Sequence, residues 1–223
     1  MTEGGGGAGL VCVGDSIITA DRSWGYWLAR GGGWPLVRHS ARGARSWQVL
    51  DQLPHLRGHR YAVGALTVGA NDVLFDWDAA RYEANLLAIL EAMSSACDKV
   101  LISSFPQAFR RFPGSSPERR RRVMAADQII AGAVAAVDVV MVDGSDLAGP
   151  LLCPDRVHPS VRGHLLLADR AAAALGLAVV PSAFSSQASQ ARNDHSRSRY
   201  LAVTAKTTLR ELLTRVTHQG QAT

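Results

Sequence analysis

The fold is decided by the stretch Leu10-Val11-Cys12-Val13-Gly14-Asp15-Ser16. Its apolar part is too short for a helix and contains β-branched residues, so it predicts a buried strand. Gly14 allows a sharp turn at the end of that strand, and Asp15 and Ser16 are suited to cap a helix over 17–30. In a parallel α/β sheet, ligands bind at the carboxyl ends of the strands. The stretch therefore predicts that Ser16 lies at the mouth of a cleft, although a helix N-cap is an equally good interpretation of this serine.

Short apolar runs alternate with amphipathic segments along the rest of the chain. Further strands are predicted at 34–39, 61–68, 100–103 and 139–142, and helices at 46–53, 79–96, 118–137 and 160–175. Alternation of strands and helices is typical of βαβ units around a parallel sheet. The sequence therefore predicts one α/β domain over residues 9–181.

Four short segments with polar or glycine residues follow predicted strands. They are Gly14-Asp15-Ser16, Ser40-Ala41-Arg42-Gly43, Gly69-Ala70-Asn71-Asp72 and Asp155-Arg156-Val157-His158-Pro159. Together they supply a hydroxyl group, amide donors, and an imidazole with a carboxylate three residues away, which are the groups that acyl transfer needs. Taken singly, each segment has a plainer interpretation: Asn71-Asp72 can be a simple turn, and His158 can be the residue that starts a helix.

In their order and spacing, over about residues 9–176, these four segments resemble the conserved blocks of the SGNH, or GDSL-like, hydrolase superfamily. The second block departs from the family pattern, because His39 stands where an asparagine is often found. The resemblance implies a three-layer α/β/α, flavodoxin-like fold with a five-stranded parallel sheet. It also implies that the protein uses no cofactor and no metal.

The resemblance assigns a role to five residues of this chain. Ser16 would be the nucleophile, His158 the general base and later the acid, and Asp155 the group that orients the imidazole. The oxyanion hole would consist of the backbone N–H groups of Ser16 and Gly43 and the side-chain amide of Asn71. We therefore expect a serine ester hydrolase that forms an acyl-enzyme intermediate with small-molecule esters of small to medium acyl groups.

Two other kinds of function remain open. The same groups can deacetylate carbohydrates or transfer the acyl group to an acceptor other than water. Alternatively, the fold is a non-catalytic interaction module in which Arg119–Arg122 and the C-terminal tail contact an anionic partner, although such a charge run is more often a solvated helix face. The phenylalanines of one loop, Phe105, Phe109 and Phe112, are candidates for a lid over the acyl site.

The net charge, the first residues and the cysteines indicate the kind of partner and the compartment of this protein. The net charge of +5 permits attraction to anionic surfaces but does not indicate nucleic-acid binding, so no nucleic-acid partner is expected. The polar, glycine-rich start predicts that no secretory leader is present, and the cysteines at 12, 97 and 153 are odd in number and lack metal-binding spacing. We therefore expect buried thiols and a cytoplasmic location.

The C-terminal region differs in composition from the domain. Residues 182–198 are rich in Ser, Gln and Arg and predict a flexible linker, and residues 199–223 predict an amphipathic tail with a helix at 200–216. This helix would brace the domain or a neighbouring copy, or it would make a peripheral contact with a membrane or a protein partner.

Overall fold

The computed structural model describes residues 7–110 and 116–184. The strands of its central sheet are β1 (Leu10–Gly14), β2 (Leu36–Ser40), β3 (Tyr61–Thr67), β4 (Cys97–Ser103) and β5 (Val140–Val142). They form a five-stranded sheet in the order β2-β1-β3-β4-β5, and every neighbouring pair is parallel. The predicted five-stranded parallel sheet is therefore confirmed.

Helices cover both faces of this sheet. They are α1 (Ser16–Thr19), α2 (Trp24–Gly32), α3 (Ser46–Leu50), α4 (Ala70–Phe75), α5 (Ala79–Ala96), α6 (Gln107–Arg110), α7 (Pro117–Ala136) and α8 (Val161–Ala174). Short 3-10 helices occur at Leu53–Leu56, Gly149–Leu151 and Pro181–Phe184. On β1, Val11 and Val13 pack with α3, α5 and α7, whereas Leu10 and Cys12 pack with α2 and α8. This alternation, which follows from the period of two in a strand, produces the three-layer α/β/α fold.

The single helix predicted over 17–30 is divided into two. Ala20 leaves the helical conformation, with ψ at 138°, and ends α1. Ser23 then caps α2, because its hydroxyl accepts a hydrogen bond from the backbone N–H of Tyr26 at 3.4 Å. The two helices thus have separate N-caps, which the apolar pattern alone did not reveal.

Two of the three phenylalanines expected to form a lid after β4 belong to the core. Phe105 and Phe109 are buried, and their ring centroids lie 5.7 Å apart in an edge-to-face arrangement. The segment contains α6, whose residue Phe109 is fully buried. Phe112 lies outside the described residues.

The arginine run at the start of α7 is only partly a solvated face. Arg121 and Arg122 form ion pairs with Glu118 at 2.7 and 3.1 Å on the helix surface. Arg119, in contrast, is buried. An anion-binding patch made of the whole run is therefore not supported by the structure.

The structure describes the first three residues of the predicted linker, 182–184. In the 3-10 helix Pro181–Phe184, the backbone N–H of Ser182 donates to Asp169 Oδ1 at 2.7 Å. The Arg30 guanidinium lies 4.8 Å from the centre of the Phe184 ring. The remainder of the linker and the tail, with its predicted helix, lie outside the described residues. No helix within 7–110 or 116–184 combines the length and the hydropathy that crossing a membrane requires.

The three cysteines are predicted to react only after unfolding. Cys12, Cys97 and Cys153 are buried and free, and burial raises the pKa of each thiol to about 12. We expect little labelling by iodoacetamide in the native protein and three labels per chain in denaturant without reduction, as counted by mass spectrometry. A pair that becomes reactive only after reduction would contradict this prediction.

Candidate active site

Ser16 is the first residue of α1, directly after the end of β1. Asp15 is the N-cap of this helix, because its Oδ1 accepts a hydrogen bond from the Ile17 N–H at 3.0 Å. Ser16 is therefore not the capping residue, and its hydroxyl is available for another contact. Gly14 has φ +132°, and a Cβ there would overlap the Thr67 carbonyl oxygen, so only glycine fits at this turn.

The structure brings Ser16, His158 and Asp155 together in one chain of hydrogen bonds. Ser16 Oγ lies 2.7 Å from His158 Nε2, although 142 positions separate the two residues in sequence. On the other side of the ring, His158 Nδ1 lies 2.7 Å from Asp155 Oδ2. A ring protonated at Nδ1 donates to the carboxylate and leaves Nε2 as the acceptor for the serine proton, so this arrangement can move a proton away from Ser16.

The Asp155 carboxylate also shapes the loop that carries His158. Its Oδ1 accepts hydrogen bonds from the backbone N–H groups of Val157 and His158, both at 3.0 Å. The intervening Arg156 has φ +56°, a conformation that non-glycine residues adopt rarely. The spacing of three residues therefore produces a tight turn in which the carboxylate reaches both the backbone and the ring.

The charges of this pair reinforce one another. Burial raises the pKa of the Asp155 carboxyl, but the hydrogen bond and charge of His158 and the backbone donors lower it more, so it lies below its ordinary value. Burial lowers the pKa of the His158 ring, but the hydrogen bond and charge of Asp155 and the charge of Asp15 raise it more, so it lies above its ordinary value. The site is thus arranged to stabilise a positive charge on His158.

Gly43 and Asn71 lie at the ends of the two strands that flank β1. Gly43 follows β2 with φ +77°, and in the described chain nothing lies within 4 Å of the position of a Cβ, so its backbone borders open space. Asn71 lies in the first turn of α4 rather than in the simple turn that is its plainer interpretation. The buried Asn71 Nδ2 donates to the carbonyl of Ala44 at 3.0 Å. Since an amide nitrogen carries two hydrogens, the second is available for a ligand.

The buried carboxylate of Asp72, which has no predicted role, connects the segments that carry Gly43 and Asn71. Asp72 accepts hydrogen bonds from the Ser46 backbone N–H at 3.0 Å and from the Ser46 hydroxyl at 2.6 Å. Asn85 Nδ2 in turn donates to the Ser46 hydroxyl at 3.0 Å. These contacts join the start of α3 to α4, and therefore the segment after Gly43 to the helix that carries Asn71. The Gly-Ala-Asn-Asp block contained Asp72, but only the fold shows its partner 26 positions away.

A second buried carboxylate lies next to Ser16. Burial raises the pKa of Asp15 to about 7, against a smaller opposing effect of the Ile17 N–H. Within the described chain its Oδ2 has no hydrogen-bond partner. Asp15 therefore fits the structural role expected from the sequence, as a cap, and its charge also acts on His158.

A cleft of about 640 Å³ begins beside the loop that carries Asp155. It lies at the carboxyl ends of β4 and β5 and is lined by Gln107, Ala108, the segment 145–149, Leu152, Cys153, Pro154 and Arg156. Its walls combine polar groups, such as those of Gln107 and Ser145, with the apolar side chains of Leu147 and Leu152. In the part of the chain that the structure describes, no group of three or more His, Cys, Asp or Glu residues is arranged to hold a metal ion.

Solved structures of other proteins share this fold. A member of the lipolytic protein G-D-S-L family from Veillonella parvula DSM 2008 has a TM-score of 0.62 and 17% sequence identity, covering 75% of this chain and 97% of its own. A catalytic mutant of Axe2, an acetylxylan esterase from Geobacillus stearothermophilus, has a TM-score of 0.61 and 18% identity, covering 77% and 96%. An α/β hydrolase from the metagenome of Lake Arreo, Spain, has a TM-score of 0.59 and 20% identity, covering 77% and 96%. Among curated proteins, no significant sequence match is found.

The architecture of this chain is therefore the three-layer α/β/α fold of these solved structures. The sequence pattern of the GDSL-like Lipase/Acylhydrolase family matches residues 12–166, which is most of the chain. The chain belongs to this family and is an esterase of the SGNH type, as the order of its four blocks predicted.

Proposed function

We propose that the protein hydrolyses carboxylic esters with Ser16 as nucleophile, His158 as general base and acid, and Asp155 as the group that orients the imidazole. The observation that supports this most directly is the unbroken chain of hydrogen bonds from Ser16 Oγ through both ring nitrogens to Asp155, with both contacts at 2.7 Å. An interaction module would have no need of such a chain at the ends of its strands.

The reaction consists of two acyl transfers. Ser16 Oγ attacks the ester carbonyl carbon while its proton moves to His158 Nε2, and the carbonyl oxygen becomes an oxyanion. The ester C–O bond then breaks, and the alcohol leaves with the proton from Nε2. In the second half, water attacks the acyl-enzyme, His158 takes the proton of the water, and the same proton returns to Ser16 Oγ as the carboxylic acid leaves.

The oxyanion would be held by three donors from three different segments. These are the N–H of Ser16 at the start of α1, the N–H of Gly43 in the open turn after β2, and the free amide hydrogen of Asn71 on α4. Removal of one such donor typically lowers the rate by about 10²–10³-fold. The bond from Asn71 to the Ala44 carbonyl supports this arrangement, because it connects the Asn71 helix to the residue that follows Gly43.

For the substrate, we propose a small to medium acyl group on a polar alcohol. The cleft beside Asp155 has polar side chains at Gln107, Ser145 and Arg156 next to the apolar side chains of Leu147 and Leu152, a mixed lining that suits a polar substrate. This lining also favours a carbohydrate O-deacetylase as the second candidate function, and acyl transfer uses the same groups. The free buried thiols support a cytoplasmic location, which is likewise a proposal.

The proposed function is tested by labelling and by a panel of esters. We expect a fluorophosphonate to attach to Ser16, as located by peptide mass spectrometry, and p-nitrophenyl esters from acetyl to octanoyl to be hydrolysed, with the shorter ones preferred. Comparing kcat/KM for acetylated xylose and for a simple alkyl acetate distinguishes the two candidate functions, because both substrates carry the same acyl group. A clear preference for acetylated xylose would favour the carbohydrate O-deacetylase. Absence of both labelling and hydrolysis would contradict an ester hydrolase.

The pH dependence of the reaction should follow the ring of His158. Only the neutral ring accepts the Ser16 proton, and its pKa lies above 6.5, so kcat/KM should fall as the pH decreases through a midpoint above 6.5. In Asp155→Asn the largest of the effects that raise this pKa, those of the Asp155 carboxylate, are lost while burial remains, so the midpoint of the residual activity should move to lower pH. The measurement is kcat/KM from about pH 5 to 9. A wild-type midpoint well below 6.5 would exclude His158 as the base.

We propose further that residues 9–181 form the catalytic domain and that the tail is dispensable for hydrolysis. The family pattern ends at residue 166, and the candidate site lies entirely before it. A chain that stops after Phe184 should therefore keep wild-type kcat and KM, measured beside the full chain. Loss of activity in a truncated chain with an unchanged circular dichroism spectrum would assign the tail to the site.

A further inference from the structure

The side-chain amide of Gln52 contacts both polar groups of Gly14. Its Oε1 accepts a hydrogen bond from the Gly14 N–H at 3.1 Å, and its Nε2 donates to the Gly14 carbonyl at 3.3 Å. Only one orientation of the amide satisfies both contacts, so the pairing is specific. The two residues lie 38 positions apart, and nothing in the four sequence blocks indicates the contact.

The Gly14 carbonyl is also the point at which two segments of the proposed site meet. It accepts a second hydrogen bond, from the backbone N–H of Ala41 at 3.0 Å. Ala41 lies two residues before Gly43, and Gly14 lies two residues before Ser16. Gly14, whose N–H and carbonyl Gln52 contacts, therefore connects the turn that carries the Ser16 N–H to the turn that carries the Gly43 N–H.

The path of the chain explains why Gln52 reaches this point. After β2 the chain passes through Gly43 and α3, and it returns at Gln52, which precedes the 3-10 helix Leu53–Leu56. The half-buried side chain of Gln52 thus joins the end of the segment that follows β2 to the end of β1. In the other direction, Asp72 fixes the start of α3 through Ser46. The Gly43 segment is therefore fixed at both of its ends.

We propose that Gln52 is a positioning residue that sets the spacing between the Ser16 and Gly43 backbone donors of the oxyanion hole. This inference rests on the proposed function. Gln52 acts through Gly14 and takes no part in the proton transfers. Because the oxyanion forms only in the transition state, a displaced donor lowers kcat and leaves KM unchanged. A misplacement of about 1 Å in a preorganised site can lower the rate by about 10²-fold.

Two variants of Gln52 and one control test this proposal. Gln52→Glu keeps the shape but places a carboxylate oxygen against the Gly14 carbonyl, and Gln52→Met keeps the length but loses both hydrogen bonds. Gln128→Glu, on the exposed face of α7, introduces the same change of charge away from the site. Rates are expressed per site titrated with a fluorophosphonate, on an ester whose acylation limits turnover. The Ki of a trifluoromethyl ketone, which forms a tetrahedral adduct with the serine, is measured in parallel.

We expect a loss in kcat of about 10- to 10²-fold in both Gln52 variants, with KM within about twofold and the Ki raised by the same factor as kcat/KM falls. Gln128→Glu should match the wild type. If Gln52→Glu does not fold, the kinetics of Gln52→Met alone test the role of Gln52.

A wild-type kcat per site in the Gln52 variants, a rise in KM alone, or an equal loss in Gln128→Glu would overturn the inference. An active wild type with unaffected Gln52 variants refutes only the role of Gln52, whereas a wild type that neither reacts with the fluorophosphonate nor hydrolyses esters refutes the proposed function and this inference together.

Discussion

Replacing Ser16 by alanine is expected to lower ester hydrolysis by about 10⁵–10⁶-fold, to the activity left by binding and the oxyanion donors alone. The reason is that the Ser16 hydroxyl, whose oxygen lies 2.7 Å from His158 Nε2, is the nucleophile of the proposed mechanism. The stability should change little, because Asp15 rather than Ser16 supplies the helix cap. The measurement is kcat/KM on p-nitrophenyl acetate, with the thermal midpoint determined on the same preparation.

The matched control for this prediction is Ser95→Ala on the exposed face of α5. It removes a hydroxyl whose contact in the structure is with the Glu91 carbonyl of its own helix. We expect wild-type kinetics from this variant. Full activity and full fluorophosphonate labelling in Ser16→Ala would show that another residue is the nucleophile, and the proposed mechanism would then be wrong.

Replacing Asp155 by asparagine is expected to lower kcat by about 10⁴-fold while the protein remains folded. An asparagine can present its NH₂ group to His158 Nδ1, which then becomes the acceptor, and the proton of the ring moves to Nε2. The ring would be in the wrong tautomer to accept the Ser16 proton, and the charge that stabilises the protonated ring would also be lost.

Asp138→Asn, at an exposed position after α7, is the control for the loss of one carboxylate. A useful second readout is the ring itself, because NMR of ¹⁵N-labelled histidine distinguishes the two tautomers. The predicted pattern is a low kcat together with a shifted tautomer signal in Asp155→Asn, and neither in Asp138→Asn. Retention of at least a tenth of the wild-type kcat would contradict the role of Asp155.

The sequence predicted those parts of the structure that depend on residues close together along the chain. The strand before Ser16 is a run of β-branched and apolar residues, and the turn at 155–158 follows from a carboxylate three residues before the histidine. The family resemblance then supplied the order of the blocks, and the sheet and the contact between Ser16 and His158 agree with it. The catalytic roles of Ser16, Asp155 and His158, and those of Gly43 and Asn71, remain predictions.

Other features depend on contacts between distant residues, which a pattern along the chain does not contain. The apolar runs did not show that the helix after Ser16 would be interrupted, because Ser23 is buried and caps a second helix there. Phe105 and Phe109 looked like loop residues because their core partners come from other elements. The pairings of Asp72 with Ser46 and of Gln52 with Gly14 likewise join residues 26 and 38 positions apart.

The strand order β2-β1-β3 has a consequence for how this enzyme can change. The chain winds outward from β1 to β2 and then crosses back to β3, so the connections diverge at β1 and leave a crevice there, at a topological switch point. Ser16 stands at this switch point, which the backbone creates without help from any loop. The segment after β4 and residues 143–149 after β5 lie farther along the sheet edge, outside the turn that carries Asp155 and His158, so they can lengthen, shorten or change in composition while the crevice persists. New substrates would be acquired at that end of the molecule, and the proton-transfer groups would be inherited intact.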